Sequence, residues 1–418
     1  MNIRGCTMGG LKYKKELLIM IVLYIAVALR YGKQGPKKVS PITQRQTSPH
    51  VKYYDEVFML NTDTPLILFW TKYYNVVWVW YYRFFNSNHC SPWNCLTTDD
   101  KTQIDIADVV VFSLDDVVLE ELPCYRRENQ IWVAFTREPP QKLKLRNKNL
   151  ELFKGLFNWT VTYRSDSEVT YIYGHVAKRR ENITTKIKHP WILTEDEKNN
   201  FFPKWEFPTW DYDATLQKLP SRNGSALILI SNCEKNKRLK YARELAYKSR
   251  RLLEVEINGE CGRGSTRLPA NFDYSEEKYK FYLSFENNEC KDYVTEKLYK
   301  VFQFDIVPIV MGGVNYDDVA PPHSYINVKD FETPYDLGKY LHYLHNNHTA
   351  YMEYFLWKKD YFTTLELDSA FPCRFCEALK NPILKKSYDI KGFYEKESNC
   401  EVLEQDYDKK GNDFYWME

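Results

Sequence analysis

The chain has 418 residues, 44% of them apolar, and a formal net charge of +2 at pH 7. That length asks for two or three folding units at roughly 150 residues each, and the apolar share supports a sizeable core, which excludes an intrinsically disordered chain. A near-balanced charge, with no zinc-finger cluster and no basic reading helix, argues against a nucleic-acid partner. Phe, Tyr and Trp make up 16% of the chain. Tyr and Trp join a flat apolar face to a polar handle, which suits sugar rings as well as ordinary packing.

Residues 1–16 read as a cytoplasmic tail. Leu17–Leu29 (LLIMIVLYIAVAL) is an apolar run of 13 residues, preceded by Lys12, Lys14 and Lys15 and followed by Arg30 and Lys33. A full membrane span takes about 20 residues, so a signal-peptide core is one reading. No small-x-small cleavage site with a neutral region follows, flanking lysines can snorkel, and secretory membranes are thinner than the plasma membrane. Residues 17–30 are therefore taken as a signal anchor, with a cleaved signal peptide as the alternative. Sequons at Asn158, Asn182, Asn223 and Asn347, with ten cysteines, place the bulk of the chain in an oxidising lumen. Residues 31–60, rich in Gly, Pro, Ser, Thr and Gln, read as a stem.

Short apolar runs then alternate with amphipathic ones. Leu66–Trp70, Asp108–Ser113, Ile131–Thr136 and Trp159–Tyr163 read as strands. A Pro- and Trp-rich stretch, Phe202–Trp210, marks a domain boundary. A second series follows: strands at Ala226–Ile230, Leu253–Ile257, Lys280–Phe285 and Ile306–Val310, and helices at Arg238–Leu252, from Thr295, and at Pro334–His345. Such alternation predicts an α/β fold with parallel sheets. The units expected are 61–205, 206–365 and a cysteine-bearing tail, 366–418.

Chemistry-bearing residues cluster at the ends of predicted strands. In Phe285–Lys297 (FENNECKDYVTEK) a strand runs into a polar loop and then a helix start, the place where open α/β sheets hold phosphates. Lys297 supplies a cation for a diphosphate, Glu296 an acceptor for sugar hydroxyls, and Asn287 and Tyr293 flank them; a solvated, helix-capping loop reads the same way. Arg238 opens a helix after the strand of Ile228–Tyr241 (ILISNCEKNKRLKY), where a basic surface helix is the plain alternative. Glu138, in Ile131–Pro140 (IWVAFTREPP), follows a strand and suits general-base work, although an exposed turn carboxylate before Pro139-Pro140 fits the spacing equally. Gly259–Gly264 (GECGRG) offers close backbone approach but lacks a phosphate-loop G-K-[ST].

Asp211-Tyr212-Asp213 and Asp406-Tyr407-Asp408 match D-x-D, a pattern that holds a metal on a nucleotide diphosphate in some enzymes, but neither follows a strand end of the second unit. Cys90, Cys95, Cys373 and Cys376 fit either one zinc site or two disulfides, the latter favoured in an oxidising lumen. Cys233 and Cys261 suit a third pair. Cys124, Cys290 and Cys400 stay unassigned, and nine cysteines beyond the apolar run leave at least one free or joined to another chain.

The run Phe285–Gly313 (FENNECKDYVTEKLYKVFQFDIVPIVMGG) closely resembles the donor signature of the α1,3/α1,4-fucosyltransferases, with Asn288 where Ser is usual. Phe157–Gly174 (FNWTVTYRSDSEVTYIYG) and Ile131–Pro140 resemble two further motifs of that family, with Pro139 in place of Ser. The similarity extends over roughly Leu66–Cys376, and it implies that the tail is tied back onto the first unit through the Cys90/Cys95 and Cys373/Cys376 regions. It implies a GT-B arrangement, two Rossmann-like domains facing a cleft on a single-pass membrane anchor, in a type II Golgi protein with a lumenal catalytic part. By position it implies GDP-fucose as the donor, held by Arg238, Asn287, Tyr293, Glu296 and Lys297, and Glu138 as the catalytic base of an inverting transfer. It implies no required cofactor; with two cations on the diphosphate, no metal is expected in the site, and a divalent ion is at most stimulatory. The acceptor implied is a GlcNAc of a glycoprotein glycan. The CSPWNC and CRFC segments look more like invertebrate members, several of which modify the N-glycan core, so the core is favoured over a Lewis-type antenna. A catalytically inactive, glycan-binding relative is the alternative, supported by the Pro139 departure.

Overall fold

A computed structural model describes residues 48–60, 62–73, 94–145, 149–201, 209–222, 224–231, 233, 237–262, 278–365, 370–381 and 383–401. The expected anchor at 17–30, most of the boundary stretch 202–210, Cys90, Asn223 and Asp406–Asp408 lie outside them. No helix among the described residues is long and apolar enough to cross a membrane.

The described chain opens with β1 (Val51–Phe58). A six-stranded sheet follows, built from β2 (Leu66–Phe69), β3 (Leu96–Thr98), β4 (Val109–Ser113), β5 (Ile131–Phe135), β6 (Trp159–Thr162) and β7 (Val169–Thr170). Its strand order is β3-β2-β4-β5-β6-β7, and every neighbouring pair is parallel. The period-two geometry of a strand splits the β4 run between two faces. Val110 and Phe112 pack with Trp132, Phe157, Tyr388 and Phe393, while Val109 and Val111 pack with Val133, Phe371, Phe375 and Leu379. The short helices α1 (Pro140–Leu145), α2 (Glu195–Phe201) and α3 (Tyr212–Lys218) come next, with β8 (Gly174–Lys178) between the first two.

The second sheet comprises β9 (Gly224–Leu229), β10 (Val255–Asn258), β11 (Tyr279–Phe285), β12 (Val307–Met311) and β13 (Ile326–Asn327), in the order β10-β9-β11-β12-β13. All its pairs are parallel. Leu239, Ala242 and Leu245 of α4 (Lys237–Lys248) share one core with Leu337, Leu341 and Leu344 of the later helix α6 (Pro334–Asn346). Between them in sequence, α5 (Glu296–Phe302) packs Leu298, Tyr299 and Phe302 against Ile172, Val176 and Trp191 from the far side of the chain. Helix α7 (His348–Glu353) leads to β14 (Tyr361–Leu365), which pairs antiparallel with β8.

The last elements are α8 (Ala370–Lys380) and β15 (Ile383–Tyr388). Phe371, Phe375 and Leu379 of α8 lie on one face of the first sheet; Tyr388, Ile390 and Phe393 lie on the other. The sequence reading assigned residues 31–60 to a stem. Residues 51–58 are instead a strand, because β15 supplies backbone partners in an antiparallel ladder running from Val51↔Tyr388 to Phe58↔Ile383.

Strand order creates a switch point in the second sheet. From β9 the chain winds to β10 on one side, then crosses to β11 on the other. Loops leaving β9 and β11 therefore diverge and open a crevice at their carboxyl ends, where open α/β sheets bind ligands.

Candidate functional site

Arg238 is the second residue of α4, directly after the loop that leaves β9. It is 7% exposed. Burial pulls its pKa down, and the Glu286 carboxylate acts in the opposite sense. The neighbouring turn after β10 is compact. Gly259 has φ +90°, and a Cβ there would come within 2.5 Å of the Ile230 carbonyl oxygen; the Cys233–Cys261 disulfide closes the same corner.

The loop leaving β11 supplies the other wall. Glu286 is 3% exposed. It accepts hydrogen bonds from the Thr295 backbone N–H at 2.8 Å and the Thr295 hydroxyl at 2.9 Å, and from Lys297 Nζ at 3.3 Å. Thr295 caps α5, and Lys297 Nζ also donates to its hydroxyl at 2.8 Å. Burial pushes the Glu286 pKa up, with the Lys297 ammonium opposing it. Burial disfavours the Lys297 charge in turn, but Glu286 and Glu296 outweigh that and hold its pKa above the usual lysine value; the Arg238 charge acts on it the other way. Two cations from different loops thus share one electrostatic neighbourhood above the crevice. Glu296 lies beside them, its side chain half exposed and 3.5 Å from Lys297 Nζ, and Asn287 is exposed at the start of the loop.

Glu138 approaches from the first sheet, three residues beyond β5. Its side chain is 16% exposed and lies 3.0 Å from Lys142 Nζ, one turn along α1. Its N–H donates to the Thr136 hydroxyl at 3.1 Å, and its carbonyl accepts from the Tyr394 hydroxyl. Two tyrosines connect it to the second unit. Tyr173 and Tyr293 meet edge to face, ring centres 6.3 Å apart. Burial pushes both phenol pKa values well up, and the charges of Glu138 and Glu296 reach both. The charges of Glu138, beyond β5, and of Glu296, at the start of α5, thus both act on one aromatic pair. Tyr293 is only 2% exposed, its ring also 4.9 Å from that of Tyr163, so its part in the site is as a wall.

Residues absent from the sequence reading complete the arrangement. An acidic residue at a strand end reads from sequence as solvated, so nothing in the spacing marks Glu286. Arg164 is fully buried and hydrogen-bonds Asp166 through Nε at 2.8 Å and Nη2 at 2.6 Å, and the Phe393 carbonyl through Nη1. Both Arg164 and Asp166 lie inside the YRSDS run whose spacing was noted without a role.

The remaining candidates sit elsewhere. Asp211 caps α3, accepting from Ala214 N–H at 3.0 Å, which gives that D-x-D a structural task. Cys95 is bonded to Cys376, Cys290 to Cys400, and Cys124 and Cys373 are also disulfide-bonded. No cysteine among the described residues is free, Cys90, the remaining one of the nine beyond the apolar run, lies outside them, and the pairing of Cys95 with Cys376 removes the zinc alternative. Asn182 is exposed. Asn347 caps α7, accepting from Ala350 N–H at 3.1 Å. Asn158 is half-buried, accepting from Trp132 N–H at 3.0 Å and donating to the Lys386 carbonyl at 2.8 Å.

Residues 219–392 match the family described as glycosyltransferase family 10 (fucosyltransferase) C-term, and residues 62–174 match the family described as fucosyltransferase, N-terminal. Alpha-(1,3)-fucosyltransferase C of Drosophila melanogaster is 28% identical over 386 residues, covering 88% of this chain and 84% of the relative. The 4-galactosyl-N-acetylglucosaminide 3-alpha-L-fucosyltransferase FUT6 of Pan troglodytes is 30% identical over 309 residues, covering 71% and 73%. Among solved structures, an alpha1,3-fucosyltransferase with GDP is 17% identical with a TM-score of 0.43, over 79% of this chain and 94% of that one.

Proposed function

Because the chain belongs to glycosyltransferase family 10, the fucosyltransferases, we propose that the crevice between β9 and β11 holds GDP-fucose and that Glu138 activates the acceptor across it. Enzymes of this family are α1,3-fucosyltransferases that take GDP-fucose as donor and require no cofactor. The observation that carries the reading is the convergence of Arg238 and Lys297 above buried Glu286 at the strand-order switch.

The chemistry is one displacement. A hydroxyl of the acceptor GlcNAc loses its proton to Glu138. Its oxygen bonds to the anomeric carbon of fucose as the bond from that carbon to the GDP phosphate breaks. Attack opposite the leaving group turns a β-linked donor into an α-linked product. Arg238 and Lys297 stabilise the charge growing on GDP, a contribution of about 3–4 kcal/mol for one well-placed group. Glu296 and Asn287 face sugar or ribose hydroxyls, and Tyr293 walls the site. The two sheets form the GT-B pair, with residues 61–205 serving the acceptor and 206–365 the donor. Residues 17–30 anchor the chain in the Golgi membrane with its catalytic part lumenal and the sequons at Asn158, Asn182, Asn223 and Asn347 in the same compartment, Asn182 being exposed.

The N-glycan core GlcNAc is the favoured acceptor. The test is to incubate the chain with GDP-fucose and separate core-exposed and antennary glycans, then locate the added fucose by mass spectrometry. Fucose on the innermost GlcNAc is expected. Fucose on the antenna overturns the acceptor assignment; no transfer to either, with GDP still bound, favours an inactive glycan-binding protein.

A further inference from the structure

Three consecutive residues after β11 each tie their loop to something outside the second sheet. Cys290 is bonded to Cys400. Lys291 donates its N–H to the Ser398 carbonyl at 2.8 Å, and its Nζ lies 3.3 Å from Asp166 Oδ2. Asp292 accepts, on one oxygen, from both the N–H of Ser165 at 3.1 Å and its hydroxyl at 2.7 Å.

Asp292 also has φ +62°. Few residues other than glycine adopt that left-handed conformation, and it persists where surrounding contacts hold it. The residues on either side carry the donor cluster, Glu286 before it and Thr295–Lys297 after it. Ser165 stands just beyond β6, the parallel neighbour of the β5 strand that leads to Glu138. A disulfide to the tail limits how far the loop can travel. Two hydrogen bonds to one carboxylate oxygen, joined to a specific backbone conformation, also set its direction.

We infer that Asp292 is a positioning residue for sugar transfer, holding the donor cluster at its working distance from Glu138 through Ser165. This rests on the donor and base assignments above. Asp292 touches neither substrate in this scheme, so its loss shows in turnover and not in GDP affinity.

The test measures kcat, both KM values and GDP affinity for the full chain and three variants. Glycine takes a positive φ without strain, so Asp292→Gly keeps the backbone and removes the acceptor. Asparagine tolerates the same conformation and keeps an acceptor oxygen, so Asp292→Asn is the rescue. Ser165→Ala, at an exposed position, removes one of the two bonds. Asp292→Gly is expected to lower kcat about tenfold, the loss of two hydrogen bonds of ordinary strength, with GDP affinity held within about twofold. Asp292→Asn restores most of the turnover. Ser165→Ala costs about threefold and adds nothing in the Asp292→Gly background. Wild-type turnover in Asp292→Gly, GDP affinity falling in step with kcat, or additive losses in the double variant would each overturn the inference. Failure of the unaltered chain to transfer fucose would instead overturn the function it rests on.

Discussion

A methyl group on the Cα of Gly174 would lie 2.3 Å from Cγ of Tyr299. Gly174 opens β8, and Tyr299 sits in the middle of α5, the helix whose first turn carries Glu296 and Lys297. The ring is fully buried and cannot swing away. Gly174→Ala should therefore push α5 or unseat β8, at about 1–3 kcal/mol for overpacking. A lower melting temperature together with weaker GDP binding is expected; loss of stability with unchanged GDP affinity would mean that β8 yields and α5 does not.

Glu138→Ala should remove transfer while leaving GDP binding within about twofold, since general-base catalysis contributes about 10²–10⁴. Glu138→Gln, nearly the same shape, should be as inactive. Parallel steady-state assays and GDP calorimetry decide the point: equal losses in both would place Glu138 in binding.

Lys297, proposed to hold the donor, is also tied into the fold through Glu286 and Thr295. Lys297→Ala should weaken GDP binding and also destabilise the chain, because Glu286 keeps its buried position without its cation, a break of the kind that costs about 3–5 kcal/mol. Adding Glu286→Gln should return much of the stability and none of the GDP affinity. Thermal melts with and without GDP separate the two effects. Recovery of affinity in the double variant would show that Lys297 acts only through Glu286.

Acid stability should depend on Glu197. Burial alone would raise its pKa, but hydrogen bonds from His189 and Thr194 outweigh burial and hold it at about 2. The Thr194 N–H and hydroxyl both donate to it at 2.9 Å. An unfolded-chain glutamate titrates near pH 4.3, so the folded pKa lies below the unfolded one. The resulting stability is present above about pH 4.5 and is lost as pH falls toward 2, about 2–3 kcal/mol in all. Glu197→Gln should melt lower than wild type at pH 6, with the gap closing as pH falls from 4.5; a constant gap would count against the linkage.

Much of the second sheet was legible before any coordinates. Ala226–Ile230, Lys280–Phe285 and Ile306–Val310 are apolar runs of strand length between polar loops, and β9, β11 and β12 lie within a residue or two of them. Parallel sheets bury both faces, so their strands announce themselves. The β1–β15 ladder did not, because its residues come from opposite ends of the described chain and β1 mixes exposed Lys52 and Glu56 with buried Val51. In the site, Lys297 and Arg238 were legible as cations at helix starts. The depth of Glu286 and Tyr293 was not, since burial depends on what the first sheet and the tail bring against the loop, and neither neighbour is local in sequence.

The Cys290–Cys400 bond has a consequence for the order of events during synthesis. Every strand of the second sheet has been made once residue 327 is complete, yet the loop after β11 lacks its covalent tie until residue 400 has followed. The second sheet can thus form with that loop held by hydrogen bonds alone while more than seventy further residues emerge. Formation of the Cys290–Cys400 bond must then follow synthesis of all five strands, and a chain interrupted between those points would carry the complete sheet without the covalent fastening of its β11 loop.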